Sequence, residues 1–180
     1  FVDFQKAFDT VNHDILIKKL DHYGIRNTEN NWFRSYLTDR SQFVSILGYD
    51  SNTKPVSHGV PQGSVLGPLL FLIYINDLHT TLSSNVFHFA DDTNLLKISN
   101  SHRELQKSLN MDLKILYQWL LANKISLNCD KTEIIFFRKP GEAIPNIKIK
   151  LNGHRLYPSN YIKYLGVYID EHLNGRFHCN

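Results

Sequence analysis

The sequence is poor in cysteine: two in 180 residues, Cys129 and Cys179, with no paired-Cys motif. That excludes a disulfide framework or a thiolate zinc centre as the organising element. His172, His178 and Cys179 lie close together near the end, but no second ligand pair accompanies them, and a solvated tail is the plainer reading. Long hydrophobic runs are missing too. The longest, "VLGPLLFLIYI", has 11 residues and carries Gly67 and Pro68; a bilayer span needs about 20, so the run reads as a buried helix. No signal-peptide pattern is visible. Nor does either sign of charge dominate: 20 basic against 17 acidic residues leave +3, which permits a nucleic-acid partner without demanding one.

What is present is an ordinary globular balance of apolar and charged residues, long enough for one core. The opening "FVDFQ" reads as a strand. "TVNHDILIKKLDHYG" reads as a helix capped by Asn12 and stopped by Gly24. "TENNWFRSYLTDR" follows as a second helix, with Thr28 as cap and Trp32, Phe33, Tyr36 and Leu37 as its apolar stripe. "SQFVSILG" and "KPVSHGV" read as paired strands, and "GVPQGSVLGP" as punctuation before an all-apolar helix over roughly 69–79.

Further on, "FHFADDTNLL" has two apolar arms around a tight acidic turn, the pattern of a β-hairpin. A Ser101-x-x-Glu104 capping box opens the longest helix, along which Leu105, Leu109, Leu113, Leu116 and Leu120 recur at helical spacing. "TEIIFFRK" reads as a strand, "IPNIKIKLNGHRLYP" as a hairpin turned at Asn152-Gly153, and "YIKYLGVYID" as a last strand. The pattern is α+β, an antiparallel-rich sheet with helices packed on one face.

Asp91 and Asp92 are adjacent carboxylates in an apolar stretch, and Asp3 ends an apolar strand. An acidic turn tip and a strand end account for them singly. If the first strand pairs beside the 86–90 strand, the three meet at one sheet edge. Like charges so placed need cations, and hard oxygen ligands suit Mg²⁺, which keeps waters and is completed by phosphates.

"FVDFQKAFDTVNH", "GVPQGSVLGPLLFLIYINDL", "FADD", "LNCDKT" and "YLGVYID" occur in this order. Together they resemble the palm motifs of reverse transcriptases, specifically those of LINE-type (non-LTR) retrotransposons such as the jockey group. The resemblance spans essentially the whole chain. It implies a polymerase palm over 1–180, with fingers upstream and thumb downstream, and RNA-directed DNA polymerase activity. RNA template, DNA primer, dNTPs and two Mg²⁺ ions would be its partners. It also implies an intracellular ribonucleoprotein, nuclear or cytoplasmic, with no membrane role.

Residue by residue, the resemblance makes Asp3 and Asp91 metal-binding, with the Phe4 carbonyl as a further ligand and Asp92 in support. Phe89 stands where the family more often has Tyr. Phe8 looks like the steric gate against a ribose 2′-hydroxyl; a core Phe is the alternative. Gln62 and Gly63 resemble the loop under the nascent base pair. Lys131 resembles the lysine that protonates departing pyrophosphate, against the plain alternative of a surface lysine. Tyr164, Leu165 and Gly166 resemble a primer grip. Asp9 matches the pattern without an assignable chemistry; helix-entry capping is the plainer role. Two rivals stand beside this reading. One is a truncated, non-catalytic retroelement remnant that binds nucleic acid. The other is a nucleotide cyclase, against which "PQGS" weighs.

Overall fold

The computed structural model describes residues 1–178, and the chain divides into two compact units. Cys179 lies outside the described residues, and with it the cluster it would share with His172 and His178.

One unit comprises Phe4–Thr80 and Leu120–Ser126. A 3₁₀ turn at Ala7–Asp9 leads into α1 (His13–His22). The Asn12 side chain caps α1 as its sequence suggests, accepting from the Ile15 N–H at 3.1 Å, and Leu16, Ile17 and Leu20 form its buried face. The second helix, α2 (Asn27–Leu37), starts a residue before Thr28, and its first turn has no side-chain cap. Its buried face also departs from the expected stripe. Trp32 is 53% exposed, whereas Asn30 is buried because its Nδ2 donates to the carbonyls of Ile17 and Ile25. A polar side chain with two good partners buries at little cost, and Trp32 stacks on Tyr36 at the surface instead.

The expected strand "SQFVSILG" is split. β1 (Ser41–Gln42) pairs with β4 (Lys54–Pro55), while β2 (Ser45–Ile46) turns back through Leu47 and Gly48 onto β3 (Tyr49–Asp50). The apolar helix α3 runs over Leu66–Ile75, and a separate short helix, α4, over Leu78–Thr81. Burial is one-sided rather than all round. Leu70, Phe71, Tyr74 and Ile75 are buried, while Leu69 and Leu72 are exposed. Tyr74 anchors this core. Its hydroxyl donates to the Asn123 carbonyl and accepts the Asn12 N–H, and burial pushes its pKa up to about 12.

The other unit comprises Phe1–Asp3, Thr81–Trp119 and Leu127–Asn180. Its centre is the antiparallel hairpin β5 (Asn85–Phe89) and β6 (Asp92–Leu96). The long helix α5 (His102–Ala122) opens with the Ser101 Oγ accepting the Glu104 N–H. Leu109, Leu113, Leu116 and Leu120 are buried along it, with Leu105 half-buried. The hairpin β7 (Ile149–Leu151) and β8 (His154–Leu156) turns at Asn152-Gly153, both at positive φ, as that dipeptide requires. "YIKYLGVYID" is not one strand but a second such hairpin. It consists of β9 (Tyr161–Tyr164) and β10 (Val167–Asp170), turned at Leu165-Gly166. "TEIIFFRK" forms no ladder; its one β-bridge joins Ile134 to Pro158.

The α+β composition and antiparallel pairing are as the sequence implies. Among the described residues, however, the strands form five separate two-stranded ribbons rather than one sheet with helices on one face. Strands of two to five residues that turn straight back on themselves leave little length for a third partner. No helix among the described residues is long and apolar enough to cross a membrane.

Candidate active site

The β5–β6 hairpin closes on a two-residue loop, Ala90 and Asp91, with Phe89 opposite Asp92. Ala90 adopts φ +52°, and Asp91 does not share the positive φ. That is the type II′ pattern, whose first loop position is normally glycine. The turn leaves Asp91 and Asp92 exposed side by side. One residue further, Thr93 is buried, its hydroxyl paired with His88 Nδ1 at 2.9 Å.

Thr93 brings in the third carboxylate. Val2 forms an antiparallel bridge with it and donates its N–H to the Thr93 carbonyl at 2.8 Å. The first strand therefore pairs with β6 and not, as its sequence suggested, with the 86–90 arm. The opposite flank of that short segment is held by a loop. Asn128 N–H donates to the Asp3 carbonyl at 2.9 Å, Asp3 N–H to Thr132 Oγ1 at 3.4 Å, and Glu133 N–H to the Phe1 carbonyl at 3.0 Å. Asp3 is thus fixed by its backbone, leaving its side chain uncommitted.

The electrostatics follow. Partial desolvation pushes the Asp92 carboxyl above its ordinary value, and the charges of Asp91 and Asp3 push it further. Among the described residues, no hydrogen bond or ion pair reaches the carboxylate of Asp3, Asp91 or Asp92. Nor, among the described residues, is any group of three His, Cys, Asp or Glu side chains placed so that it could hold a metal ion. The chemistry of the three side chains is of the kind Mg²⁺ takes: hard oxygens whose negative charge no protein group offsets.

Lys131 lies in a tight turn, Asn128–Thr132, closed by the Thr132 N–H and hydroxyl on the Asn128 carbonyl. Its side chain is exposed. Tyr164 ends β9 with its ring edge-on to Phe1 at 5.5 Å. Leu165 and Gly166 form the exposed tip of their hairpin, with Leu165 at φ +49°. A bulky residue in that region is strained by its own Cβ.

Phe4, Phe8, Gln62 and Gly63 belong to the other unit. Phe4 is buried. Phe8 is half-buried and stacks on Phe71 with ring centroids 4.6 Å apart, so packing accounts for part of its presence. The loop carrying Gln62 and Gly63 is pinned at both ends by glycines. At Gly59 (φ +87°) a Cβ would sit 2.9 Å from the Asp9 backbone, and at Gly67 it would sit 2.3 Å from the Pro61 carbonyl oxygen. Between them Ser64 Oγ donates to the Pro61 carbonyl and accepts the Gly67 N–H. Gln62 and Gly63 remain exposed at the tip. Asp9 is the residue whose role the sequence leaves blank. It does not cap α1, which Asn12 does; its Oδ1 accepts from Gln62 Nε2 at 2.9 Å. The two are 53 residues apart, and no local pattern signals such a pair.

The family model for reverse transcriptase (RNA-dependent DNA polymerase) matches residues 1–169, and the chain belongs to that family. It is similar to the RNA-directed DNA polymerase from mobile element jockey of Drosophila melanogaster, at 32% identity over 96% of this chain and 19% of that protein. It is also similar to the probable RNA-directed DNA polymerase from transposon BS of the same fly, at 33% over 96% of the chain and 20% of the relative. The Pol polyprotein from type-1 retrotransposable element R1 of Bradysia coprophila is 29% identical over 98% of the chain and 18% of its own length. The chain spans about a fifth of the length of these relatives.

Proposed function

We propose that the chain is the catalytic palm of an RNA-directed DNA polymerase of a non-LTR retrotransposon, adding dNTPs to a primer 3′-hydroxyl on an RNA template. One observation carries this reading. The fold brings Asp3 to Asp91 and Asp92 across the Val2–Thr93 bridge and supplies no counter-charge. Asp3, Asp91 and Asp92 would hold two Mg²⁺ ions. When bound, these supply positive charge to the attacking and leaving oxygens of a phosphoryl transfer. The remaining work belongs to the chain. The backbone clamps on Phe1–Asp3 hold one carboxylate steady, and the Ala90 turn presents the other two.

Phe8, seated on Phe71, would fill the space beside the sugar C2′. Phe8→Ala should then admit ribonucleotides, and an unchanged dNTP-to-rNTP ratio would leave it as core. Gln62 and Gly63 would lie under the nascent base pair, and Tyr164, Leu165 and Gly166 against the primer. Lys131, exposed on its turn, would donate a proton to pyrophosphate. Single-turnover rates of Lys131→Leu test this; a preserved chemical rate with weaker dNTP binding would make it a phosphate contact.

The decisive experiment is primer extension on an RNA template by an extension-competent polypeptide containing these residues. The expected result is Mg²⁺-dependent synthesis that Asp3→Asn and Asp91→Asn each abolish. Extension by either variant at near-parental rate would refute the metal-binding assignment. Nucleic-acid binding without any extension by the parent would favour the non-catalytic alternative.

A further inference from the structure

We propose that Asp9 is the positioning residue for Gln62: its carboxylate fixes the Gln62 amide so that Oε1 is presented as a preset acceptor to a hydrogen-bond donor on the incoming nucleotide. This rests on the reading of Gln62 as a nucleotide contact.

The argument starts from the backbone. The segment 58–60 is laid against 8–12 by a bridge between Asn12 and His58 and by two hydrogen bonds, Gly59 N–H to the Val11 carbonyl and Val60 N–H to the Phe8 carbonyl, each 2.8 Å. His13 Nε2 meets the Gly59 carbonyl at 2.7 Å. Gly59 passes so close to Asp9 that no other residue fits there. The relative placement of Asp9 and the Gln62 loop is therefore set before either side chain acts.

The side-chain chemistry then allows one arrangement. A glutamine amide has a donating and an accepting end that differ little in shape, and an unrestrained amide samples both. A carboxylate accepts only, so the Asp9 bond selects Nε2 and leaves Oε1 free. Both residues are exposed, and a polar contact in water contributes little to stability. What the bond provides is direction. The same geometry explains why an acidic residue stands next to Phe8 in a stretch where the helix cap is supplied elsewhere, by Asn12.

The test measures kcat and KM for dNTP in the extension-competent polypeptide, alongside thermal unfolding, for Asp9→Ala, Asp9→Asn, Gln62→Ala and the Asp9→Ala/Gln62→Ala double variant. Asp9→Ala and Gln62→Ala should each raise KM by about 3- to 10-fold, the range a single hydrogen bond supplies, with kcat and Tm near parental values. The double variant should be no worse than Gln62→Ala alone, since without the amide Asp9 has nothing to position. Asp9→Asn can still accept the bond but no longer forbids the flipped amide, so KM should rise only about 2-fold, as expected when half the population is competent. A parental KM for Asp9→Ala, additive effects in the double variant, or a fall in kcat that tracks a fall in Tm would each overturn the proposal. Failure of the underlying reading has a different signature. Gln62→Ala would then leave KM unchanged while Asp91→Asn still abolished extension, and Asp9 would have no nucleotide contact to position.

Discussion

The two ends of the β5–β6 hairpin handle acidic side chains in opposite ways. At the open end sits Asp112, 1% exposed. Ser83 donates to it through both N–H and hydroxyl, Ser84 through its hydroxyl, and Lys97 Nζ stands 3.9 Å away while also bonding the Ser83 carbonyl and hydroxyl. Burial alone would raise its pKa, but the Ser84 and Ser83 hydrogen bonds and the Lys97 charge outweigh burial and hold it below the ordinary carboxylate range. At the closed end Asp91 and Asp92, with Asp3 nearby, are exposed and receive no such help, and Asp92 is pushed the other way. The contrast separates a carboxylate that organises the fold from carboxylates the fold merely tolerates. Only the second kind has charge left over for a ligand.

The largest test of that contrast is activity. Asp91→Asn should lower primer extension by at least about a hundredfold, the scale of removing one preorganised electrostatic contact. Asp112→Asn touches no reacting group, and its rate per folded molecule should stay within a few-fold of the parent. Equal losses at both ends, measured per mole of active sites, would erase the distinction.

Stability should reverse the order. Asp112→Ala strips a buried site of its acceptor, leaves the Ser83 and Ser84 donors facing nothing and takes from Lys97 its nearby counter-charge, costing about 2–3 kcal/mol. Asp91→Ala should change stability by less than about 0.5 kcal/mol, or raise it by removing repulsion. Urea unfolding at neutral pH measures both. The pH dependence follows from the sign of the shift. Because Asp112 has a lower pKa folded than unfolded, its contribution is complete above the unfolded value, about 3.9. It is lost as pH falls through the lower folded one. Asp112→Ala should therefore flatten the acid limb of the stability profile. Lys97→Met, which removes one partner of the same carboxylate, should cost about 1 kcal/mol.

How much of this could be read in the sequence depended on the range of the interaction. Asn12 as a cap, Ser101 Oγ accepting the Glu104 N–H, the leucine ladder of α5 and the Asn152-Gly153 turn all appear in the structure because the residues that decide them are within a few positions; the return half of the Ser101–Glu104 box does not form, since the Ser101 N–H donates to Ser99 Oγ. Thr28 does not cap α2, which begins at Asn27 in a left-handed conformation (φ +51°) and has no side-chain cap. "YIKYLGVYID" reads as one strand because Leu165 gives no hint that it adopts a left-handed conformation; Gly166 is the only local sign. "TEIIFFRK" looks like a strand by composition, but a strand needs a partner, and only Ile134 has a bridge. At the candidate site, the adjacent aspartates and their turn were legible. That Asp3 arrives through Thr93 was not, since pairing register is a tertiary choice. The Asp9–Gln62 bond was equally hidden, for the same reason.

The smallest predicted effect concerns the turn that carries the unsatisfied pair. Ala90 and Gly153 both hold positive φ in two-residue hairpin loops, but only Gly153 does so without a Cβ penalty. Gly153→Ala should cost about 1 kcal/mol. Ala90→Gly removes roughly 1 kcal/mol of strain but adds freedom to the unfolded chain that offsets about half of it, so the expected net gain is about 0.5 kcal/mol by urea unfolding. The gain would come with a loss. The residue that strains the backbone also narrows its conformations, and a looser turn would spread the positions of Asp91 and Asp92. Reacting groups displaced by about 1 Å can lose on the order of a hundredfold in rate, so even a modest spread should lower extension several-fold in the more stable protein. A gain in stability with unchanged extension would show that Ala90 contributes nothing to the pair it precedes. A gain with reduced extension would place strain, as well as unpaired charge, among the features that set the closed end of the hairpin apart from the open one.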